Sequence, residues 1–386
     1  MQTDSEPEEL LPSALDGLEA DRAAAVAART AFYPGDLLKA GRYRLFRKIG
    51  QGQFAHVWLA EDMQESQNRY VAIKISLRWY TESQIREAAI IKILGDDPIS
   101  DHPGRTNVIE LLDEFIHSGP NSDHHCIVSK PMGRSVERTL TEFIWDDPVP
   151  YSFCRRISIQ ALQALDYLHQ KDIMHGDIHT GNFLLALTYN IDENSEADIE
   201  AKNTHGNELN DPGDPFILDD KVDVLSGGLD AKVILVDLGA SSSPKDSPSF
   251  DKADIWALGC ALWRIVTGAP LFAPEGWGDM DDTNVEQIGN FVERLGPVPE
   301  SLRSAWKDSD DHLTSDGHLK NPFPEDEREL PLTEEIKDRK PEGMSEDEAT
   351  AFVEFLSLIF RLEPSERSST QELLQHRWVT AEWDNK

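Results

Sequence analysis

The first third of the chain alternates apolar and polar residues with the period of two that is typical of half-buried β-strands. Separated by turn residues, these runs predict strands over residues 43–49, 55–60, 69–76, 108–116 and 125–130. Between the third and fourth runs, apolar residues recur at helical spacing and predict one helix over 81–94. This part is therefore expected to be a small unit of antiparallel strands with one helix.

After Gly133 the apolar spacing becomes mainly helical. Helices are predicted over 151–170, 251–266, 285–295, 345–362 and 370–376, with short strands over 183–187 and 232–236. The pattern predicts an α+β fold of two lobes, a small β-rich N-terminal lobe (about 43–130) and a larger, mainly helical C-terminal lobe (about 134–379).

Three segments lack such periodicity. Residues 1–31 are acidic and then alanine-rich, which predicts a disordered tail. Residues 190–231 are rich in Asp, Glu, Asn and Gly and are expected to be a solvated insertion between two strands. Residues 301–344 are polar and interrupted by prolines. The organised domain is accordingly placed at 43–379.

Composition narrows the classes of function. The 386 residues include 37 Lys+Arg and 71 Asp+Glu, a net charge of −34. This balance argues against direct nucleic-acid binding and favours basic partners. Three widely spaced cysteines exclude a disulfide scaffold. We find neither a secretory signal nor a membrane-spanning stretch, so a cytoplasmic or nuclear protein without membrane contact is expected.

Two glycines lie between the first two predicted strands, at Gly50 and Gly52. Such glycines let the backbone approach a polyphosphate closely and present N–H donors to it. Taken alone, a plain hairpin turn explains them better. Lys74 ends the third predicted strand, where an anion or a helix carboxylate would offset its desolvation. The following helix offers Glu82 and Glu87, of which Glu87 is favoured; a surface lysine is the alternative.

The segment 175–182 is the strongest local signal. Asp177 suits acceptance of a hydroxyl proton, and the amide oxygen of Asn182 suits Mg²⁺. After the insertion, Asp237 ends an apolar strand and provides a hard oxygen ligand for Mg²⁺. Each Asp taken singly could instead cap a turn, but their order along the chain disfavours that reading.

Here the chain resembles a eukaryotic-type serine/threonine protein kinase. The motifs, in chain order, are Gly50-x-Gly52 with Val57, Val71-x-Ile73-Lys74, Glu87, His175-x-Asp177 with Asn182, Asp237-Leu238-Gly239 and Asp254-x-Trp256-x-x-Gly259. Within that family it is most similar to the Ser/Arg-protein kinases, particularly fungal ones. The similarity rests on Asp-Leu-Gly in place of Asp-Phe-Gly, the long insertion before Asp237, and Ala55 where a third loop glycine would stand.

The resemblance implies ATP and Mg²⁺ as cofactors and a role for each motif. Asp177 would be the catalytic base, Lys74 would hold phosphates and pair with Glu87, and Asn182 and Asp237 would bind the metal. The implied nucleotide-binding residues are Ile49, Gly50, Gln51, Gly52, Val57, Ala72, Lys74, Lys130, Met132 and Leu184. Basic, Arg/Ser-rich proteins such as splicing factors would be the substrates, which implies regulation of mRNA splicing. The protein is expected to be a monomer.

Three departures from the family pattern stand out. Gly176 replaces the arginine that commonly precedes the catalytic Asp. The Ser/Arg-protein kinases also lack this arginine. His179 replaces a lysine that helps to neutralise the transferred phosphoryl group, and a neutral imidazole does this less well. Only 17 positions separate Asp237 from Asp254, which is too short for the family's activation and peptide-docking segment.

Three hypotheses therefore remain open. The first is an active kinase for Arg/Ser-rich proteins, its short segment being real or the result of an incomplete gene model. The second is a pseudokinase that binds ATP as a scaffold. The third is a small-molecule phosphotransferase, because the 175–182 pattern also resembles aminoglycoside and choline kinases. The Lys74 strand and the Asp254 motif disfavour the third.

Overall fold

The N-terminal part folds as one antiparallel sheet in the spatial order β1-β2-β3-β4-β6-β5. The computed structural model describes residues 32–65, 69–77, 82–96, 101–119, 122–143, 149–202, 216–218, 231–242, 251–272, 280–323, 328 and 330–383. The strands are β1 (Leu37–Leu38), β2 (Tyr43–Gln51), β3 (Ala55–Asp62), β4 (Tyr70–Ser76), β5 (Asp113–Ser118) and β6 (Asp123–Ser129). The predicted tail at 1–31 lies outside the described residues.

The alternation of side chains along β4 gives this sheet two distinct faces. Val71, Ile73 and Ile75 are buried in an apolar cluster on one face. Ala72 and Lys74 lie between them in sequence and so point to the opposite face, where they line a cavity. One set of β4 side chains is thus buried in the core of the lobe, and the other set faces the cavity.

Helix α1 (Glu82–Gly95) follows β4 and connects the two lobes. Its buried residues Ala88, Ile91 and Leu94 belong to the same apolar cluster as the helices of the C-terminal lobe. Tyr167 Oη donates a hydrogen bond of 2.7 Å to the Leu94 carbonyl. The position of α1 is therefore set by both lobes.

The C-terminal lobe contains a small antiparallel sheet and a helical core. The sheet runs β7 (Met132–Ser135), β8 (Phe183–Ala186), β9 (Val233–Leu235). The helices are α2 (Val136–Phe143), α3 (Tyr151–Gln170), α4 (Glu196–Lys202), α5 (Asp251–Thr267), α6 (Met280–Leu295), α7 (Glu300–Ala305), α8 (Ser309–His312), α9 (Leu332–Arg339), α10 (Glu346–Ile359), α11 (Thr370–Leu374) and α12 (Arg377–Thr380). The core packs around α3, α5 and α10. The predicted α+β, two-lobed architecture is confirmed.

One predicted strand is only partly correct. The expected strand at 108–116 is split, because β5 covers only Asp113–Ser118. Val108 instead forms a parallel bridge with Leu235, and the Ile109 N–H donates to the Leu235 carbonyl at 3.0 Å. The apolar run at 108–116 indicates extended backbone but does not identify its partner strands. Its first residues contact β9 of the C-terminal lobe, and its last residues belong to β5 of the N-terminal sheet.

Other boundaries differ for local reasons. The N-terminal lobe begins before Tyr43, since Leu38 in β1 is fully buried. The predicted helix at 370–376 ends at Leu374, and His376 then caps α12 by accepting the Trp378 N–H on its Nδ1. The polar segment 301–344 contains most of α7 together with α8 and α9, three short helices that its prolines obscured.

Most described residues of the insertion 190–231 are exposed or half-buried, but three of its apolar residues are buried. Ile191, Ile199 and Leu218 are buried against Phe46 and Leu59 of the N-terminal sheet. The insertion therefore packs onto the other lobe. Among the helices in the described ranges, none has the length and apolarity needed to cross a membrane.

The aromatic core of the C-terminal lobe gives a direct test of this packing. Phe352 is fully buried and stacks on Trp263 with ring centroids 6.4 Å apart. We expect Phe352→Ala to lower the free energy of unfolding by about 3–5 kcal/mol in urea titrations. The control is Phe54→Ala, which removes the same atoms from a side chain that is 68% exposed and should cost less than about 0.5 kcal/mol. Equal losses would contradict the described core.

Candidate active site

A cavity of about 1080 Å³ lies between the lobes. Strands β2, β3 and β4 line it from one lobe, and β8 with the residues after β9 lines it from the other. Every residue that the sequence assigns to the site lies on its wall. These are Ile49, Gly50, Gln51, Gly52, Val57, Ala72, Lys74, Glu87, Lys130, Met132, Asp177, Asn182, Leu184 and Asp237.

The hairpin between β2 and β3 covers one end of this cavity. The Gly52 N–H donates to the Ala55 carbonyl at 2.9 Å and closes the turn. Gly50 faces Val57 across the two strands, and a β-carbon at Gly50 would lie 3.0 Å from Val57 Cβ. The absence of a side chain at Gly50 therefore lets the two strands approach each other above the cavity.

Three charged side chains from three elements meet at the back of the cavity. Lys74 Nζ of β4 lies 2.7 Å from Glu87 Oε1 of α1 and 2.8 Å from Asp237 Oδ1 after β9. Glu87 is only 2% exposed. Buried carboxylates need such a partner, because their desolvation is otherwise very costly.

The electrostatics of this cluster follow from burial and proximity. Burial disfavours the charged form of Lys74, but Glu87 and Asp237 outweigh it and raise its pKa. Burial also raises the pKa of Glu87, against the effect of Lys74. Burial works to raise the pKa of Asp237 as well, yet Lys74 holds it below its usual range. Asp237 therefore carries its charge at neutral pH.

Asp254 holds the loop that carries Asp177. Its carboxylate accepts the His175 N–H at 2.8 Å and the Gly176 N–H at 2.9 Å. His169 Nε2 lies 3.0 Å from the same carboxylate. Because α5 carries this residue and α3 carries His169, the loop is fixed between two core helices.

Asp177 and Asn182 lie side by side at the mouth of the cavity. Asn182 Nδ2 donates to the Asp177 carbonyl at 2.9 Å and lies 3.3 Å from Asp177 Oδ2. These bonds use the amide nitrogen and leave Oδ1 as the Asn182 atom available to a cation. The Asp177 carboxylate is 56% exposed and can be reached by a substrate.

The same loop contains His179, whose ring caps the short turn Thr180–Asn182. Its Nδ1 accepts the Gly181 N–H at 3.0 Å. A backbone N–H can only donate, so Nδ1 is the acceptor in this contact. The Nε2 atom lies 3.7 Å from Asp177 Oδ2. His179 thus lies beside Asp177 at the position where the family commonly has a lysine.

The residues present fit a Mg·ATP complex. Mg²⁺ takes oxygen ligands and is commonly held by one or two protein side chains together with substrate phosphates. Asp237 supplies an ionised carboxylate and Asn182 an amide oxygen on the same cavity wall. Within the described ranges, no group of three or more His, Cys, Asp or Glu side chains could hold a metal without a substrate.

Comparison with known proteins agrees with this site. The family profile described as a protein kinase domain matches residues 43–192 and 244–379. The chain belongs to the protein kinase family. This result confirms the predicted resemblance to that family.

The relatives of this kinase indicate its branch of the family. It is 27% identical over 375 residues to a serine/threonine protein kinase of Aspergillus fumigatus, covering 92% of this chain and 89% of that protein. It is 26% identical over 400 residues to the serine/threonine-protein kinase SRPK of Physarum polycephalum (89% and 87% covered). A shorter match, 37% over 162 residues, is to mouse SRSF protein kinase 3 (40% and 28% covered).

A solved kinase domain shares the fold of this chain. The two superpose with a TM-score of 0.60 at 20% sequence identity, covering 90% of this chain and 98% of that domain. At this identity the similarity concerns the fold alone.

The structure explains why this kinase has Gly176 where an arginine is common. Gly176 adopts a φ of +81°, and a β-carbon there would lie 2.7 Å from the Ala240 carbonyl oxygen. The chain after Asp237 thus passes too close for any side chain, and Met174 also bridges to Ser242 in this region. The presence of glycine instead of arginine at position 176 is thus explained by the path of the backbone at Ala240.

Arg367 also has a defined environment in this kinase. Its guanidinium donates to the Lys252 carbonyl at 2.7 Å and to the Arg361 carbonyl at 2.9 Å. It also lies over the Trp256 ring at 4.8 Å. Backbone carbonyls and an aromatic face thus bind this cation.

The sequence interpretation missed one part of the cavity wall. Phe216, Ile217 and Leu218 of the insertion line the same cavity as the hairpin. They form a three-residue apolar run inside a polar, acidic segment. That run was the available signal, but it is too short to show a helix or strand period.

Gly176 provides a test of the loop geometry. We expect Gly176→Ala to destabilise the kinase by at least roughly 1 kcal/mol more than Gly268→Ala in chemical denaturation. Gly268 has a similar φ of +73° but nothing within 4 Å of its added β-carbon. The control therefore isolates the conformational cost, about 1–2 kcal/mol. Equal costs would contradict the close approach to Ala240.

His175 predicts a pH dependence of stability. Its side chain is fully buried, Nδ1 accepts the Asp177 N–H, and Nε2 donates to the Val236 carbonyl. Burial lowers the pKa of His175. An unfolded histidine has a pKa of about 6.5. Below that pH the unfolded chain binds the proton that the folded state excludes, so stability falls as pH falls.

Substituting His175 should remove its contribution to the pH dependence of the free energy of unfolding. We expect the difference in unfolding free energy between wild type and His175→Asn to shrink as pH falls from about 7.5 to about 5.5. The slope should not exceed about 1.4 kcal/mol per pH unit. Urea titrations at several pH values measure it. A difference that stays constant or grows would show that His175 is not buried as the neutral form.

Proposed function

We propose that this kinase transfers the γ-phosphoryl group of Mg·ATP to serine or threonine hydroxyls. The observation that carries the proposal is Lys74, held between Glu87 and Asp237 in the cavity that also contains Asp177 and Asn182. A fixed cation, two oxygen ligands for a metal and a reachable carboxylate are the parts that phosphoryl transfer requires.

Each group has a defined task in this proposal. Lys74 binds the phosphates of the nucleotide, and Glu87 keeps it oriented. Asp237 and Asn182 hold Mg²⁺, which when bound neutralises the phosphate oxygens. Asp177 accepts the proton of the substrate hydroxyl while that oxygen bonds to the γ-phosphorus. The bond from the γ-phosphorus to the β–γ bridging oxygen breaks, and ADP leaves.

The adenine base is assigned to the apolar part of the cavity. Ala72 and Leu184 come from opposite lobes and both line the cavity, so the proposal places the planar ring between them. Ile49 and Val57 extend this surface, and the backbone groups of Lys130 and Met132 supply the polar edge. Gly50, Gln51 and Gly52 cover the phosphates with their backbone N–H groups.

Arg/Ser-rich proteins, including splicing factors, are the proposed substrate class. Two kinds of observation support this class: relatives named SRPK and SRSF protein kinase, and the net charge of −34. Glu137, close to the loop that carries Asp177, is already paired with Arg264 at 2.9 Å. Its charge is therefore partly neutralised in the structure.

A pseudokinase that binds ATP as a scaffold is the second candidate. Two observations favour it: the short distance of 17 positions between Asp237 and Asp254, and the presence of His179, in place of a lysine, beside Asp177. A small-molecule phosphotransferase is less well supported, because the family match extends through the C-terminal helices to residue 379.

A phosphotransfer assay separates these candidates. Purified kinase is incubated with Mg·ATP and one of three peptides, rich in Arg and Ser, neutral, or acidic. We expect the Arg/Ser peptide to be phosphorylated fastest, and Asp177→Asn to reduce that rate by at least about 100-fold because the proton acceptor is lost.

Nucleotide binding serves as the control, and Asp177→Asn should keep it within a few-fold of wild type. Nucleotide binding by the wild type without transfer to any peptide would favour the scaffold. Full activity in Asp177→Asn would reject the assigned base.

A further inference from the structure

A segment of the insertion reaches the edge of the nucleotide cavity. The Phe216 N–H donates to the Lys48 carbonyl at 2.8 Å, directly before the hairpin residue Ile49. Phe216 and Ile217 are half-buried and line the cavity together with Ile49. We refer to these residues, with Leu218, as the 216–218 segment. It extends one side of the cavity with apolar groups from the insertion.

The 216–218 segment is anchored by a buried residue. Leu218 is 2% exposed and packs in a cluster with Phe46 and Leu59 of the N-terminal sheet. Tyr189 Oη donates to the Leu218 carbonyl. The segment is therefore attached to the same sheet face that Val57 and Ala72 present to the cavity.

A second set of contacts holds the preceding part of the insertion on β2. Arg47 Nη2 lies 2.9 Å from Glu200 Oε1 of α4, and its guanidinium lies 5.6 Å from the centre of the Phe216 ring. Arg44 forms an ion pair with Glu196. The Tyr70 N–H donates to Asp192 Oδ1 at 3.0 Å. Charged, polar and apolar contacts thus all join the insertion to the strands that support the hairpin.

We propose that the 216–218 segment determines nucleotide affinity, with Phe216 and Ile217 forming an apolar side wall against the purine base. A planar aromatic base gains affinity when apolar groups remove its edge and face from water. The bond from Phe216 to Lys48 also fixes β2 where the hairpin begins. This inference rests on the proposed function, because it assigns these residues to the same nucleotide site.

The test compares wild type and Phe216→Ala by isothermal titration calorimetry with Mg·ATP. We expect the Kd to rise on the order of 5- to 10-fold, as for the loss of one apolar contact. The KM for ATP should rise similarly while kcat on the Arg/Ser peptide stays within about 2-fold, because the wall acts equally on substrate and transition state.

Two further variants serve as controls. Phe216→Leu should restore most of the affinity for Mg·ATP. The second control is Ile116→Ala, on β5 and 51% exposed, which should leave the Kd unchanged.

Separate probes assign the effect to the base. Adenosine should lose affinity by the same factor as Mg·ATP, whereas tripolyphosphate with Mg²⁺ should bind both proteins equally. If Phe216→Ala does not fold, Ile217→Ala provides the same comparison at a half-buried position. An unchanged Kd for Mg·ATP would contradict the proposal that Phe216 and Ile217 form a wall against the base. A loss of affinity for tripolyphosphate but not for adenosine would contradict it as well.

These outcomes are distinct from a failure of the proposed function. Wild-type protein that binds neither Mg·ATP nor adenosine would reject the nucleotide site itself. Wild-type binding together with unchanged binding by both variants would reject only the role of the 216–218 segment.

Discussion

The position of Lys74 between Glu87 and Asp237 is the interaction on which the site depends. The three side chains come from β4, α1 and the residues after β9, so their contact fixes a strand, a helix and the other lobe relative to one another. The one lysine therefore faces two carboxylates, of which Glu87 is buried and the Asp237 side chain is 49% exposed. A carboxylate that can be reached from the cavity can accept a further cation. In the proposed function, Asp237 is the carboxylate of this cluster that would hold Mg²⁺.

The two lobes are joined by more than this cluster. Helix α1 packs into the C-terminal core and accepts a hydrogen bond from Tyr167, although it belongs to the N-terminal lobe by sequence. In the opposite direction, the insertion leaves the C-terminal lobe and packs on β2 and β3. The two lobes are thus held together by packing at two separate places.

Much of the fold and all of the assigned cavity residues could be predicted from the sequence, because period-two strands and ordered motifs are local features. Lys74 is an example, since Val71 and Ile73 define which face it occupies. Contacts distant in sequence could not be predicted. The run at Val108 carried no information about its partner Leu235, and three apolar residues at 216–218 had no period to indicate their contact with β2. The sequence showed only that Gly176 stands where an arginine is common. The structure adds the reason, because the Ala240 carbonyl lies too close for a side chain at this position.

We propose that Lys74 and its two carboxylates form part of a Mg·ATP site. The most direct test is the thermal unfolding of wild type and Lys74→Met with and without Mg·ATP. A ligand that binds only the folded state stabilises it by an amount set by its concentration relative to Kd, about 2.7 kcal/mol at 100 times Kd. We predict a clear rise in Tm for wild type, dependent on Mg²⁺, and little or none for Lys74→Met. No rise in wild type, or the same rise in both proteins, would contradict the claim.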